Sequence, residues 1–81
     1  MATEHISGKG LKAYQTAFAA KQIRPGNCLV TRGGVDIFYD VGDKGTLRSL
    51  SEYYLPANLF LDEDTKWEVL ESRPKFRAAR D

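Results

Sequence analysis

The chain has 81 residues, of which 42% are hydrophobic and 28% charged, and its formal net charge is +1. This length fits one domain, residues 1–81, because typical domains run to about 100–150 residues. No stretch approaches the roughly 18–20 apolar residues of a membrane span, and the first residues lack the basic and apolar regions of a signal peptide. We therefore expect a single folded domain that is not inserted in a membrane.

Cysteine and histidine are scarce. Cys28 is the single cysteine and His5 the single histidine, which excludes a disulfide within the chain and argues against a zinc site. A lone cysteine also fits a reducing cytoplasm. A chain this short buries only about 60–65% of its unfolded surface. Because small domains compensate with disulfides, metals or association, we expect a homo-oligomer.

Charge is unevenly distributed along the chain. Residues 1–71 sum to −2, whereas the C-terminal residues 72–81 sum to +3. We interpret this basic tail as a solvated segment, with contact to an anion or a nucleic acid as the alternative. The negative charge of the remaining chain argues against a nucleic-acid partner.

The first predicted element is an amphipathic helix that follows a loose N-terminus, residues 1–8. Leu11, Tyr14 and Phe18 recur at the spacing of one helical face. Pro25 predicts that the helix ends two or three residues before it, because the residue preceding a proline avoids the α region.

A β-hairpin is predicted next. Two β-prone runs, residues 28–32 and 35–39, flank Gly33-Gly34, and such a pair is typical of a tight turn. A two-residue turn places Val35 and two cross-strand pairs on one apolar face. The pairs in that register are Val30 with Ile37 and Cys28 with Tyr39.

The middle of the chain allows two interpretations. After a turn at residues 42–45, residues 46–50 fit a third strand. Alternatively, Ser49 and Glu52 match a capping box that opens a short helix. Residues 57–61 are predicted to form a helical turn.

The C-terminal part predicts an acidic loop followed by a strand. Residues 62–64 lack the ligand spacing of an EF-hand and are interpreted as a solvated loop. Residues 67–71 are predicted to form the final strand, with Trp67 and Val69 on one face. The fold class is therefore α+β, with one N-terminal helix packed on a small antiparallel sheet with a central hairpin.

Groups suited to catalysis are few. A nucleophilic triad needs a base beside the nucleophile, and His5 stands near the N-terminus. Cys28 is predicted to be a small core residue. No paired-cysteine, HExxH or P-loop pattern occurs. We expect no catalytic residue, metal or cofactor, so the chain is predicted to bind rather than to act as an enzyme.

Arginine and tyrosine offer the best indication of a ligand. Arg24, Arg32 and Arg48 are predicted at the edges of elements, and Tyr39, Tyr53 and Tyr54 on or near probable strands. Arginine forks bind phosphate and aromatic faces stack on bases, which suits a nucleotide. The alternative is that the tyrosines pack in a core or interface and the arginines are solubilising.

Two short motifs lie before and after the predicted hairpin. The predicted helix leads into Lys21-Gln22-Ile23-Arg24, and Asp62-Glu63-Asp64 stands shortly before Trp67-Glu68-Val69. In this order of helix, hairpin and closing segment, the chain resembles the second Thoeris anti-defence family of small phage proteins. It departs from them in having Pro25-Gly26-Asn27 where a tryptophan is usual, and in the two residues that precede Trp67.

The resemblance implies a phage protein that sequesters a cyclic nucleotide immune signal, a cyclic ADP-ribose isomer or a cyclic dinucleotide, without cleaving it. It also implies a homo-oligomer in the cytoplasm of the bacterial host, with pockets between subunits. The alternative is a phage protein-interaction module that docks on a host enzyme, for which a sheet edge suits β-augmentation. The residues predicted to bind the ligand are Arg24, Asn27, Arg48, Tyr53, Tyr54, Asn58 and Asp62.

Overall fold

A computed structural model describes residues 6–73 of the chain. One α-helix lies against a five-stranded antiparallel sheet, so the predicted α+β class is confirmed. The elements are β1 (Ser7–Lys9), α1 (Gly10–Ala19), β2 (Cys28–Arg32), β3 (Asp36–Val41), β4 (Leu47–Arg48), a 3₁₀ turn η1 (Ala57–Leu59) and β5 (Lys66–Leu70).

The strands lie in the order β1-β5-β2-β3-β4. β5 therefore enters the sheet between β1 and β2, and the two shortest strands form the edges. Short edge strands reduce the unpaired backbone open to another chain. The predicted final strand is confirmed, although the loose N-terminus differs from prediction at Ser7 and Gly8, which pair with Glu68 and Trp67. His5 and residues 74–81 of the basic tail lie outside the described residues.

The core lies between α1 and the sheet. Tyr14 and Trp67 meet edge to face, with ring centroids 6.0 Å apart, and both side chains are buried. Their polar atoms are satisfied, since Tyr14 Oη donates to the carbonyl of Gly45 at 2.9 Å and Trp67 Nε1 donates to the carbonyl of Gly10 at 3.0 Å. These two hydrogen bonds join the helix, the turn at residues 42–45 and the last strand.

α1 ends earlier than Pro25 predicts. Lys21 adopts a positive φ of 64°, so the chain leaves the helix directly after Ala20. The N–H of Lys21 donates to the carbonyl of Phe18 at 3.0 Å and that of Gln22 to the carbonyl of Ala17 at 2.9 Å. This pair of bonds is a Schellman motif, which usually places glycine where this chain has Lys21.

The hairpin forms, but its predicted register is wrong by one residue. Residues 33–35 make a three-residue loop, so Leu29 pairs with Tyr39 and Val30 with Phe38. Gly34 has a φ of +97°, a conformation that glycine adopts without a steric penalty. The shift turns Leu29 and Tyr39 together toward α1 and moves Cys28 and Val30 to the opposite face.

The strand interpretation of the middle segment is correct, and the capping-box helix at Ser49 does not form. β4 spans two residues, and Leu47 exchanges backbone hydrogen bonds with Leu55 at 2.8 and 2.9 Å. The fully buried Leu47 side chain anchors this segment, which overrides a local capping signal. The predicted turns at residues 42–45 and 57–61 are confirmed. Among residues 6–73, no helix is long and apolar enough to cross a membrane.

Candidate functional site

The sheet has a second face that carries polar chemistry. Alternation along the strands directs one set of side chains away from α1, and we call the surface they form the second face. Cys28 and Val30 are buried there, at 0% and 1% exposure. The residues of the second face in β2 to β5 are Cys28, Val30, Arg32, Asp36, Phe38, Asp40, Arg48, Lys66, Glu68 and Leu70.

Two arginines converge on Asp40 at one end of the second face. Arg48 is the cross-strand partner of Asp40, and its Nη2 donates to Asp40 Oδ2 at 2.9 Å. Arg73 follows β5, and its Nε lies 3.6 Å from Asp40 Oδ1 while its Nη2 donates to the carbonyl of Phe38 at 3.1 Å. Two guanidinium groups thus share one carboxylate, which leaves an excess of one positive charge.

Tyr54 extends this cluster with an aromatic face. The guanidinium carbon of Arg48 lies 5.0 Å from the centroid of the Tyr54 ring, the geometry of a cation–π contact. The ring rests on Gly42: a Cβ added there would lie 2.8 Å from Tyr54 Cδ1. Tyr54 remains 44% exposed and the Arg48 side chain 37% exposed. A charged fork and an aromatic ring therefore stand side by side within reach of solvent.

Electrostatics keep the cluster cationic. The hydrogen bond from Arg48 to Asp40 raises the pKa of Arg48 above its ordinary value, so this guanidinium is charged at any physiological pH. Burial raises the pKa of the neighbouring Cys28 thiol, an effect that Arg73 partly offsets. A buried thiol with a raised pKa is a poor nucleophile, so Cys28 serves in this face as a small buried side chain.

Arg24 and Asn27 belong to the turn between α1 and β2. The N–H of Arg24 donates to Asn27 Oδ1 at 2.8 Å, and Asn27 Nδ2 donates to the carbonyl of Glu71 at 3.5 Å. The amide of Asn27 therefore holds the turn and ties it to the end of β5. The side chain of Arg24 is exposed beside it.

Asn58 and Asp62 lie together on the other side of the molecule, along α1. A groove of about 460 Å³ runs between α1, the turn at residues 42–45 and η1. An adjoining groove of about 530 Å³ contains Asp62, and the two share Leu11 and Asn58. Both volumes fall in the range of small-molecule sites, about 300–1,000 Å³.

Asp62 organises its own loop. Its Oδ1 accepts hydrogen bonds from Thr65 Oγ1 at 2.8 Å and from the N–H of Asp64 at 2.9 Å. These bonds to the carboxylate lower the pKa of Asp62. Within the described part of the chain, no group of three or more His, Cys, Asp or Glu side chains is placed to hold a metal ion.

The predicted ligand residues therefore occupy three places. Arg48 and Tyr54 make direct contact, Asn58 and Asp62 line one groove, and Arg24 with Asn27 forms a turn. Tyr53 is 71% exposed next to Tyr54 in sequence, and its carbonyl accepts a hydrogen bond from Ser51 Oγ at 3.0 Å.

Sequence reasoning missed three residues of the cluster: Asp40, Gly42 and Arg73. The hairpin sequence contained a signal for Asp40. If its loop is taken as three residues long, Asp40 lies opposite Cys28 and on the same face of the sheet. Arg73 was assigned to a basic tail interpreted as solvated, with contact to an anion as the alternative, and it stands three residues beyond β5. No sequence signal marks Gly42 as the support of a ring twelve residues further along the chain.

Comparison with protein-family models, with curated proteins and with solved structures finds no match to this chain.

Proposed function

We propose that the protein is a phage anti-defence protein that sequesters a cyclic nucleotide immune signal, a cyclic ADP-ribose isomer or a cyclic dinucleotide, without cleaving it. The observation that carries this proposal is the contact between Arg48 and Tyr54, 5.0 Å apart and both partly exposed. An arginine fork suits a phosphate, and an adjacent aromatic face suits a base. The resemblance of the chain to the anti-defence family supports the same ligand class.

In this proposal Arg48 holds a phosphate and Tyr54 stacks on the base, with Tyr53 as the neighbouring alternative. Asn58 and Asp62 line a separate groove along α1, and Arg24 with Asn27 lies at a third place. A ligand that engages all these residues would need more than one copy of the chain.

A homo-oligomer in the cytoplasm of the bacterial host is part of the proposal. Exposed apolar side chains on the segment between β4 and η1 support association: Leu50 is 91% exposed, Tyr53 71% and Leu59, in η1, 62%. These side chains lie close together in sequence, and a patch formed by them would be typical of a contact surface.

Titration calorimetry with cyclic ADP-ribose isomers and cyclic dinucleotides tests the ligand class. We expect the wild-type protein to bind at least one of them, and Arg48→Gln to weaken that binding about tenfold or more, since hydrogen bonds to charged groups contribute about 1.5–3 kcal/mol. Arg32→Gln is the matched control, because Arg32 pairs with Glu68 at the far end of β2, at 3.1 Å. A folded protein that binds none of the panel contradicts the proposal.

A second candidate function is inhibition of a host enzyme by docking. The same exposed apolar segment favours it, because exposed apolar side chains are typical of surfaces that contact another protein. A pull-down from host lysate that yields one stoichiometric protein partner, with no small molecule retained, would support docking over sequestration.

A further inference from the structure

We propose that Arg48 and Arg73 together form a phosphate-binding site on the second face, with Asp40 as the carboxylate that holds the two guanidinium groups at one place. The inference rests on the proposed function for the identity of the whole ligand. It adds Arg73, a residue from the end of β5, as the second cation of the site.

The cluster carries a net positive charge. Arg48 and Arg73 carry two positive charges against the single carboxylate of Asp40, at 2.9 and 3.6 Å. The three side chains are 37%, 31% and 28% exposed, so they are partly shielded from solvent, which strengthens electrostatic attraction to an anion. Besides its contact with Asp40, Arg48 packs on the ring of Tyr54 and Arg73 donates to the carbonyl of Phe38.

The two arginines also supply hydrogen-bond donors. A guanidinium has five N–H donors. Within residues 6–73, Arg48 donates to Asp40 through Nη2, and Arg73 donates to Phe38 through Nη2. Arg73 Nε is buried without a hydrogen-bond partner, because Asp40 Oδ1 at 3.6 Å is beyond hydrogen-bond range. The two guanidinium groups therefore have more N–H donors than Asp40 and the carbonyl of Phe38 accept. Arg73 Nε is itself covered, but both side chains remain partly exposed, so their outer N–H groups suit an additional multidentate oxyanion.

Tyr54 lies against Arg48 on the side of Gly42. A ligand with its phosphate between the arginines would bring its adjoining sugar or base to Tyr54. A phosphate ester of a nucleoside has both a phosphate for the arginines and a sugar or base for Tyr54, whereas a bare anion has only the group that the arginines bind.

The test is a titration of the full-length protein with inorganic pyrophosphate, in which NMR monitors the signals of the arginine Nε–Hε groups. We expect titration to shift the signals of Arg48 and Arg73 and to leave that of Arg32 unchanged, since Arg32 pairs with Glu68 elsewhere on the same face. Equal shifts of all three signals, or no shift, would overturn the inference. This readout needs no variant, so it holds even if a substitution impairs folding.

Pyrophosphate binding by arginine variants is the second part of the test. Arg73→Gln and Arg48→Gln should each weaken pyrophosphate binding about 10- to 100-fold, the range of a lost charge-assisted bond. Arg73→Lys should lose part of that affinity, because lysine keeps the charge without the fork. Arg32→Gln should bind as the wild type does. Binding that depends on Arg48 and not on Arg73 contradicts the two-arginine site.

The outcomes separate the inference from the proposed function. Pyrophosphate binding that requires both arginines, without binding of any cyclic nucleotide, supports the site and rejects the function. Cyclic nucleotide binding that is insensitive to Arg73→Gln supports the function and rejects the site. If neither pyrophosphate nor any cyclic nucleotide binds, both the two-arginine site and the proposed function are rejected.

Discussion

The burial of Tyr14 makes the stability of the fold depend on pH. Its ring is 1% exposed, and burial raises the pKa of the Tyr14 phenol from 10.0 to about 12. Above pH 10 the unfolded chain therefore loses this proton before the folded chain does. The folded state binds more protons in that window, so its stability falls as pH rises from about 10 to about 12. Below pH 10 this contribution is fully present.

We expect Tyr14→Phe to lower the free energy of unfolding at pH 7 by about 1 kcal/mol, because the hydrogen bond to Gly45 is lost. Between pH 10 and 12, the free energy of unfolding should fall less in Tyr14→Phe than in the wild type. The difference between the two decreases should be at most about 3 kcal/mol. Urea unfolding at several pH values measures both effects. Tyr53→Phe, at an exposed position, is the control. Parallel pH curves for wild type and Tyr14→Phe would contradict the assignment.

Gly42 gives a second prediction at the residue scale. A Cβ at this position would lie 2.5 Å from Thr46 Oγ1 and 2.8 Å from Tyr54 Cδ1. We expect Gly42→Ala to displace the Tyr54 ring and to destabilise the protein by about 1–3 kcal/mol, the usual cost of overpacking. Thermal unfolding and nuclear Overhauser contacts of the ring measure the two effects.

Gly33→Ala is the matched control for Gly42→Ala, because a Cβ at Gly33 meets no atom within 4 Å and Gly33 has no positive φ. It should leave both stability and the Tyr54 ring unchanged. If both variants behave like wild type, Gly42 does not support the ring.

At the scale of elements, the C-terminus of α1 carries avoidable strain. Lys21 adopts a left-handed conformation that glycine takes more easily. We expect Lys21→Gly to raise the free energy of unfolding by about 0.5–1 kcal/mol. Lys12→Gly, inside the same helix, should lower it by about 1 kcal/mol. Denaturant midpoints of the two variants should therefore move in opposite directions, and a shift in the same direction would contradict the capping geometry.

The elements themselves were largely predictable. Leu11, Tyr14 and Phe18 mark the helix, and Trp67 and Val69 mark the final strand, because periodicity follows directly from which side of an element is buried. The hairpin register was not predictable from Gly33-Gly34 alone, since a two- or three-residue loop fits that pair equally well. The choice between them depends on burial of Leu29 against α1, which is a tertiary effect.

The candidate site was less predictable than the fold. Arg48 and Tyr54 were both selected by residue type, and the structure brings them into contact. Their contact depends on Gly42 and Asp40, and the sequence gives no local pattern that joins these positions. Arg73 reaches the cluster because β5 lies beside β2 rather than at an edge. Strand order of this kind is set by the packing of the whole sheet, so no short motif reveals it.

At the scale of the whole molecule, the chain presents a cationic cluster on one side, a groove along α1 on another and an exposed apolar segment between β4 and η1. In the proposed function, a ligand that engages more than one of these places would bind several copies of the chain together.

Native mass spectrometry of the wild-type protein, mixed with cyclic ADP-ribose isomers and cyclic dinucleotides, tests whether the protein sequesters an intact cyclic nucleotide. It reports the number of subunits and the mass of any retained ligand together. We predict an assembly of more than one subunit that holds an intact cyclic nucleotide, and the loss of that ligand in Arg48→Gln but not in Arg32→Gln. A ligand-free protein across the whole panel, or a ligand whose mass shows cleavage, would contradict the account.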